Sequence, residues 1–272
     1  MSGERAGVWA WRLAILAVLL AAWEWLTGIK AVSRTPGLYW IDPFFVSRPS
    51  VIARRFVYLV GGDVRLTLGQ MALSTIQSTL WGFVVGVSTG FAAGLLLGRH
   101  DRLARVFDPY IVAFNSLPRI ALVPLVTMIF GFGLLAKIVL AWTIVFFIVF
   151  FNTFQGARSV DADLIHSARF LGGSDRQIMR TVIVPSALAW TFASLTPSIS
   201  FALIGVVVGE FLGGESGGGL GYLIIQSLGT LNAADMMVAL ITLALIGIVM
   251  ALGIRQIERR LLRWRPEYRG RA

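Results

Sequence analysis

Residues 66–98 read LTLGQMALSTIQSTLWGFVVGVSTGFAAGLLLG, 33 positions between Arg65 and Arg99 without one Asp, Glu, Lys or Arg. The hydrocarbon core of a bilayer takes about 20 helical residues to cross, so only part of this stretch needs to span. Within it Gly82, Gly86, Gly90, Gly94 and Gly98 recur every four residues and so share one helix face. Small residues at that spacing let a second helix approach closely inside lipid. The stretch therefore predicts a membrane helix with a structural packing face.

Five further apolar windows are long enough to cross, at residues 8–28, 110–131, 138–156, 181–209 and 236–254. Trp9, Trp11, Trp23 and Trp25 mark the ends of the first, as an aromatic belt does. No small-x-small cleavage site follows it, since Trp23, Glu24 and Trp25 come next, so it reads as a retained span and not a signal peptide. The expected fold is an all-α membrane protein with six transmembrane helices. Composition agrees: 14% of residues are charged, against about a quarter in soluble domains. Mean hydropathy is +0.78.

The net charge of +10 would suggest nucleic acid in a soluble domain. Here the arginines flank the apolar windows, so they read as topology signals, with no nucleic-acid partner. Placing both termini in the cytoplasm puts 16 of the 24 Lys and Arg inside. Against this stand Lys30, Arg34, Arg48, Arg54, Arg55 and Arg65, all in one external loop. The absence of Cys excludes a disulfide framework and cysteine chemistry. The only imidazoles, His100 and His166, lie in charged loops, and no metal site is expected.

The segment most informative about function is 157–185. Its alternating charges (Asp161, Asp163, Arg169, Asp175, Arg176 and Arg180) fit a solvated cytoplasmic loop between spans four and five. Two features point further. Leu164, Ile165, Ala168 and Leu171 fall at helical spacing, which makes a short amphipathic helix with no core of its own to cover. Such a helix suits a partner's groove. Gly172 stands where that helix ends, as a left-handed cap requires.

His166-Ser167-Ala168, three residues, Gly172, nine residues, then Val182-Ile183-Val184-Pro185 resembles the EAA loop of ABC-importer permeases. That pattern is Glu-Ala-Ala, x3, Gly, x9, Ile-x-Leu-Pro. The Gly and Pro spacing matches in full, while His166 stands for Glu, Ser167 for Ala and Val184 for Leu. The likeness extends along the chain and is nearest to the nitrate, sulfonate and taurine branch. It includes Ser116 to Pro124, Phe130-Gly131-Phe132-Gly133 with Lys137, Asn152, Gly209-Glu210-Phe211 and Gly219-Leu220-Gly221-Tyr222.

The resemblance implies a type I importer permease fold in a bacterial inner membrane. It implies residues 1–70 as first span and extracytoplasmic loop, 71–260 as permease core with a coupling helix at about 160–180, and 261–272 as a basic tail. His166, Ser167, Ala168, Gly172, Val182 and Pro185 would form the ATPase-coupling loop. Implied partners are ABC ATPase subunits, which bind the ATP and Mg, an extracytoplasmic solute-binding protein and a second permease copy, in a homodimer, all in a lipid bilayer. No cofactor is expected in this chain, and the substrate is left open among nitrate, sulfonates, taurine and related organic anions.

The candidate path residues are Asn115, Ser116, Pro118, Arg119, Asn152 and Glu210. Pro118 frees a backbone carbonyl inside a span, and opened backbone lines cavities. Arg119 either attracts an anion there or snorkels from the interface. Glu210 either gates, meets a partner, or is a plain helix-end charge, and Asn152 serves a path or helix packing. Gly217 to Gly221 is no phosphate loop, because no strand precedes it and no Gly-Lys pair occurs. An ion-coupled transporter would need a mid-membrane acid, whereas all 14 Asp and Glu fall in loops or at span ends. An intramembrane enzyme lacks a catalytic set, with no Cys, no span His and no paired acids.

Overall fold

The computed structural model describes residues 2–29, 41–62, 64–214 and 218–262, and no strand occurs among them. Residues 30–40, with Lys30 and Arg34, lie outside the described residues, as do Glu215 and the basic tail from 263. The helices are α1 (Ser2–Leu26), α2 (Pro43–Val46), α3 (Pro49–Gly61), α4 (Leu68–Arg99), α5 (Asp101–Ser116) and α6 (Val123–Phe130). They continue as α7 (Leu134–Arg158), α8 (Ala162–Phe170), α9 (Asp175–Ile178), α10 (Val184–Leu212), α11 (Leu220–Gly229) and α12 (Ala233–Leu261).

Among the described residues five stretches are long and apolar enough to cross a membrane: Gly7–Leu26, Leu68–Arg99, Leu134–Arg158, Asp175–Leu212 and Ala233–Leu261. The third expected span, 110–131, is not one straight helix. Asp101–Ser116 and Arg119–Phe130 meet at an 83° bend. Leu117, forced extended by the proline after it (φ −69°, ψ 129°), cannot continue the helix. Counted as one broken span, this pair makes six. α7 and α12 overrun their expected windows at both ends, because the charged residues there are solvated and need not stop a helix. The Gly-rich connection 213–235 also contains a helix, α11.

The chain divides into two compact units, one of residues 1–71 with 223–243, the other of 72–222 with 244–272. In the first, the Glu24 carboxylate accepts from Ser50 N (2.9 Å) and Ser50 Oγ (2.8 Å). An acid thereby meets the positive end of α3. Arg55 pairs with both Asp235 oxygens, at 2.7 and 2.6 Å. Part of the positive charge of the loop after the first span is thus matched within the fold.

In the second unit the glycine stripe of α4 faces α7. A methyl group added to Gly82 would collide with Ala141, and one on Gly86 would lie 2.6 Å from Val145 Cβ. One on Gly90 or Gly94 would come within 2.7 Å of the Phe146 or Phe150 carbonyl oxygen. Gly98 faces Ala157 in the same way. Both helices advance in steps of four in the same sense, so α4 and α7 are parallel. The chain must therefore return the whole way between Arg99 and Leu134, a distance of about 35 Å at 1.5 Å per residue. The bent pair α5–α6 makes that return.

α10 lies on another side of α7 and runs the opposite way, with Gly209 beside Leu140 and Lys137, Gly205 beside Ile144 and Ala141, and Trp190 over Gly156. Thr153 and Thr191 hydroxyls meet at 2.7 Å. The resulting core holds Phe83, Val145, Val149, Leu195, Ile199 and Val206, with Met250 and Ile254 of α12 packed against it. Several buried hydroxyls on these helices, those of Thr79, Ser194 and Ser198, bond to carbonyls one turn back at 2.7 Å. Lipid offers no other partner.

Gly90→Leu is expected to destabilise the purified protein by about 1–3 kcal/mol or more, the cost of overpacking a filled contact. Thermal melting in detergent measures it. Gly253→Leu, where nothing lies within 4 Å, leaves the melting temperature nearly unchanged.

Candidate functional site

Three clusters of candidate functional side chains lie in the second unit, at different heights along α7. The first follows its C-terminus. Asp161 caps α8, its Oδ1 accepting from Asp163 N at 2.9 Å. At the other end Gly173 N donates to Ala168 O and Gly172 N to Arg169 O, both at 2.9 Å, with Gly172 at φ +80°. This is a Schellman cap, closed by a glycine because only a residue without Cβ takes that conformation freely. Ser174 and Gln177 form a capping box that starts α9. An exposed ion pair, Arg169 to Asp175 at 3.2 Å, links α8 to α9.

The turn Met179–Ile183, which holds Val182, is π-helical and leads into α10. Pro185 has no N–H to give to the Thr181 carbonyl, and the wider turn accommodates the gap: Val184 N donates to Met179 O instead. Of the predicted coupling residues, His166 and Ser167 are exposed while Ala168, Val182 and Pro185 are half-buried. Phe170, which sequence reasoning did not single out, is 97% exposed, and Leu171 beside it is 89% exposed. Its signal was present as two bulky apolar residues between Arg169 and the capping glycine.

The second cluster lies halfway along α7. Arg119, just past the break in the bent span, stacks its guanidinium over the Phe147 ring at 5.3 Å. Phe147 is near the middle of α7, about 15–20 Å from either end of that helix at 1.5 Å per residue. That depth disfavours snorkelling, and a charge there needs a protein-lined or watered cavity. Arg119 Nη2 donates to Asn115 Oδ1 at 2.6 Å. Its Nε is buried with no hydrogen-bond partner, an omission that costs about 1–3 kcal/mol or more for a charged group. Ser116 bonds back to Val112 O at 2.8 Å, and Asn152 Nδ2 to Ile148 O at 2.8 Å. The structure thus joins Asn115 with Arg119 at the Pro118 break, and leaves Asn152 on its own helix.

Glu210 belongs to neither of these. It is fully buried in the third cluster, at the N-terminal end of α7, where its carboxylate meets Lys137 Nζ at 3.2 Å. It also accepts from Thr75 Oγ1 (2.9 Å) and Gly221 N (2.9 Å). Lys137 spends its other protons on Ser74 Oγ (2.9 Å) and Gly218 O (2.7 Å). Every charge here is paired and every donor used, which a buried ion pair requires. The glycines of 218–221 now have a reason: a Cβ on Gly219 would collide with the Glu210 carboxylate, and one on Gly221 would lie 2.6 Å from Val207 O. Sequence reasoning missed this network. Its only signal was a Lys and a Glu at the ends of two apolar windows.

A family model described as binding-protein-dependent transport system inner membrane component matches residues 65–263. The chain is 31% identical over 269 residues to the aliphatic sulfonates transport permease protein SsuC of Bacillus subtilis, covering 98% of this chain and 92% of that one. It is 27% identical to the taurine transport system permease protein TauC of Escherichia coli, over 95% and 94% of the two chains. The riboflavin transport system permease protein RibX of Chloroflexus aurantiacus is 32% identical over 81% of each. Among solved structures, the MetNI methionine ABC transporter in an inward-facing form superposes with a TM-score of 0.61 at 23% identity, covering 71% of this chain and 95% of that one.

Lys137→Met alone leaves Glu210 buried and unpaired, and is expected to cost about 3–5 kcal/mol of stability. The double variant Lys137→Met with Glu210→Met melts higher than Lys137→Met, because neither charge then remains uncompensated.

Proposed function

The chain belongs to the family of binding-protein-dependent transport system inner membrane components, the multi-pass permease subunits of ABC importers, and from that premise we propose how its parts divide the work. It is not itself an enzyme: ATP hydrolysis lies in a partner ATPase. We infer that the ATPase subunit binds ATP and Mg and receives α8 in a groove, through His166, Ser167, Ala168 and the cap at Gly172, with Val182 and Pro185 joining that helix to α10. The observation that carries this reading is the exposure of Phe170 and Leu171 at the end of a rigidly capped helix. Bulky apolar side chains held out in water by a well-made cap suit a partner's pocket.

With α8 in the cytoplasm, both termini are cytoplasmic and the Lys137–Glu210 end faces outward, toward a solute-binding protein. Two copies form a homodimer around the path. Arg119 supports the second copy, since one chain leaves this mid-height charge at a partly exposed position that lipid does not accommodate. Asn115, Ser116, Pro118 and Asn152 line the path with it, while Glu210 anchors the outer end. The relatives named for sulfonates and taurine favour a small organic anion as solute. ATP binding then closes the ATPases, the α8 helices move with them, and the spans rock between inward-open and outward-open states.

Phe170→Asp with Leu171→Asp is expected to leave the melting temperature unchanged and to abolish co-purification of the ATPase subunit. Full retention of the ATPase by this variant would count against the docking.

A further inference from the structure

α3 runs from Pro49 to Gly61 in the loop that carries the excess of external arginines. Ile52 and Leu59, each 5% exposed, form its buried stripe, and Arg55 between them is held by Asp235. A second stripe, Ala53, Phe56, Val57 and Val60, has the i, i+3, i+4, i+7 spacing of one helix face and is left open. Val57 is 70% exposed and Val60 51%. Arg54 lies round the helix from this stripe, exposed, with its Nε donating to Ser50 O at 3.4 Å.

Two contacts fix the height of α3. Its first turn is held by Glu24 through Ser50, and its middle by Asp235 through Arg55. Glu24 stands two residues before the end of α1, and Asp235 two residues after the start of α12. Both of those helices are long and apolar enough to cross, so α3 sits where two spans leave the hydrocarbon. Trp25, beside Glu24 and 76% exposed, marks the same level, as an aromatic belt does. The exposed apolar surface of α1, Leu26 included, therefore adjoins the open stripe of α3.

We propose that α3 is an interfacial helix of the outer leaflet, with Ala53, Phe56, Val57 and Val60 in lipid and Arg54 among the headgroup phosphates. The choice of leaflet rests on the orientation proposed above; the lipid contact does not. Helices of this kind bury an apolar face about 5–10 Å into the boundary between headgroups and acyl chains, with Lys or Arg on the polar side. The arginines of this loop thereby gain a place: Asp235 matches Arg55, and Arg54 lies at the level of anionic lipid. A soluble partner would have to displace lipid from the span ends to cover the same stripe.

The chain has no cysteine, so Val57→Cys and Arg54→Cys can each carry a single bimane label in the permease–ATPase complex reconstituted in liposomes. Lipids brominated on their acyl chains are expected to quench the label at 57 about twofold or more beyond the label at 54, and aqueous iodide to do the reverse. Val60→Cys, on the same stripe, gives a second reading should Val57→Cys fail to fold. Equal quenching of both labels by iodide, with none by bromolipid, overturns the proposal. So does a label at 57 that loses iodide access only when solute-binding protein is added, or a Val57→Cys disulfide between two copies. If bromolipid quenches the label at 57 but a membrane-impermeant maleimide reaches Arg54→Cys only from the cytoplasmic side, the lipid contact stands and the proposed orientation fails instead.

Discussion

The backbone of α4 lies against α7 because five glycines leave it nothing to collide with, and this contact sets the height of everything else in the second unit. Lipid gives no apolar driving force for helix association, so stability must come from close packing. A stripe of glycine from Gly82 to Gly98 against Ala141, Val145, Val149, Thr153 and Ala157 supplies it along most of α7. α10 then closes on α7 through small residues and paired hydroxyls, and the three helices form a single slab. The slab carries the capped α8 at one end, the Lys137–Glu210 network at the other and Arg119 between.

This arrangement suits a protein whose energy arrives from outside it. α8 starts four residues after the end of α7 and leads through α9 and the π-helical turn into α10, so a displacement of α8 would reach both long helices. A tightly packed slab transmits such a push without absorbing it, as dense interiors do. At the far end the saturated network ties the Gly218–Gly221 backbone to α4, α7 and α10 together. Glu210 is a buried acid, yet Lys137 neutralises it at a span end, which is not where an ion-coupled transporter would carry its proton.

Much of this was legible in sequence where the cause was local. Span windows follow from apolar runs, the glycine stripe from its period of four, and the Gly172 cap from the end of a short amphipathic pattern. Pro118 announced an opened backbone, though not an 83° bend, since the angle depends on where α7 takes the chain next. What stayed hidden was register between helices. Lys137 and Glu210 read as unrelated span-end charges until α7 and α10 are known to be antiparallel neighbours. Likewise the depth of Arg119 came from its contact with Phe147 and not from its distance along the sequence.

On this packing, α7 and α10 are expected to move as one body while the permease works. The chain has no cysteine, and Thr153 and Thr191 hydroxyls lie 2.7 Å apart, so Thr153→Cys with Thr191→Cys can be cross-linked in place. ATP-driven uptake by the reconstituted importer, measured with this pair oxidised and then reduced, tests the claim directly. A rigid slab predicts equal uptake in both states. Uptake abolished by oxidation and restored by reductant would show that the two helices slide during transport, and would contradict it.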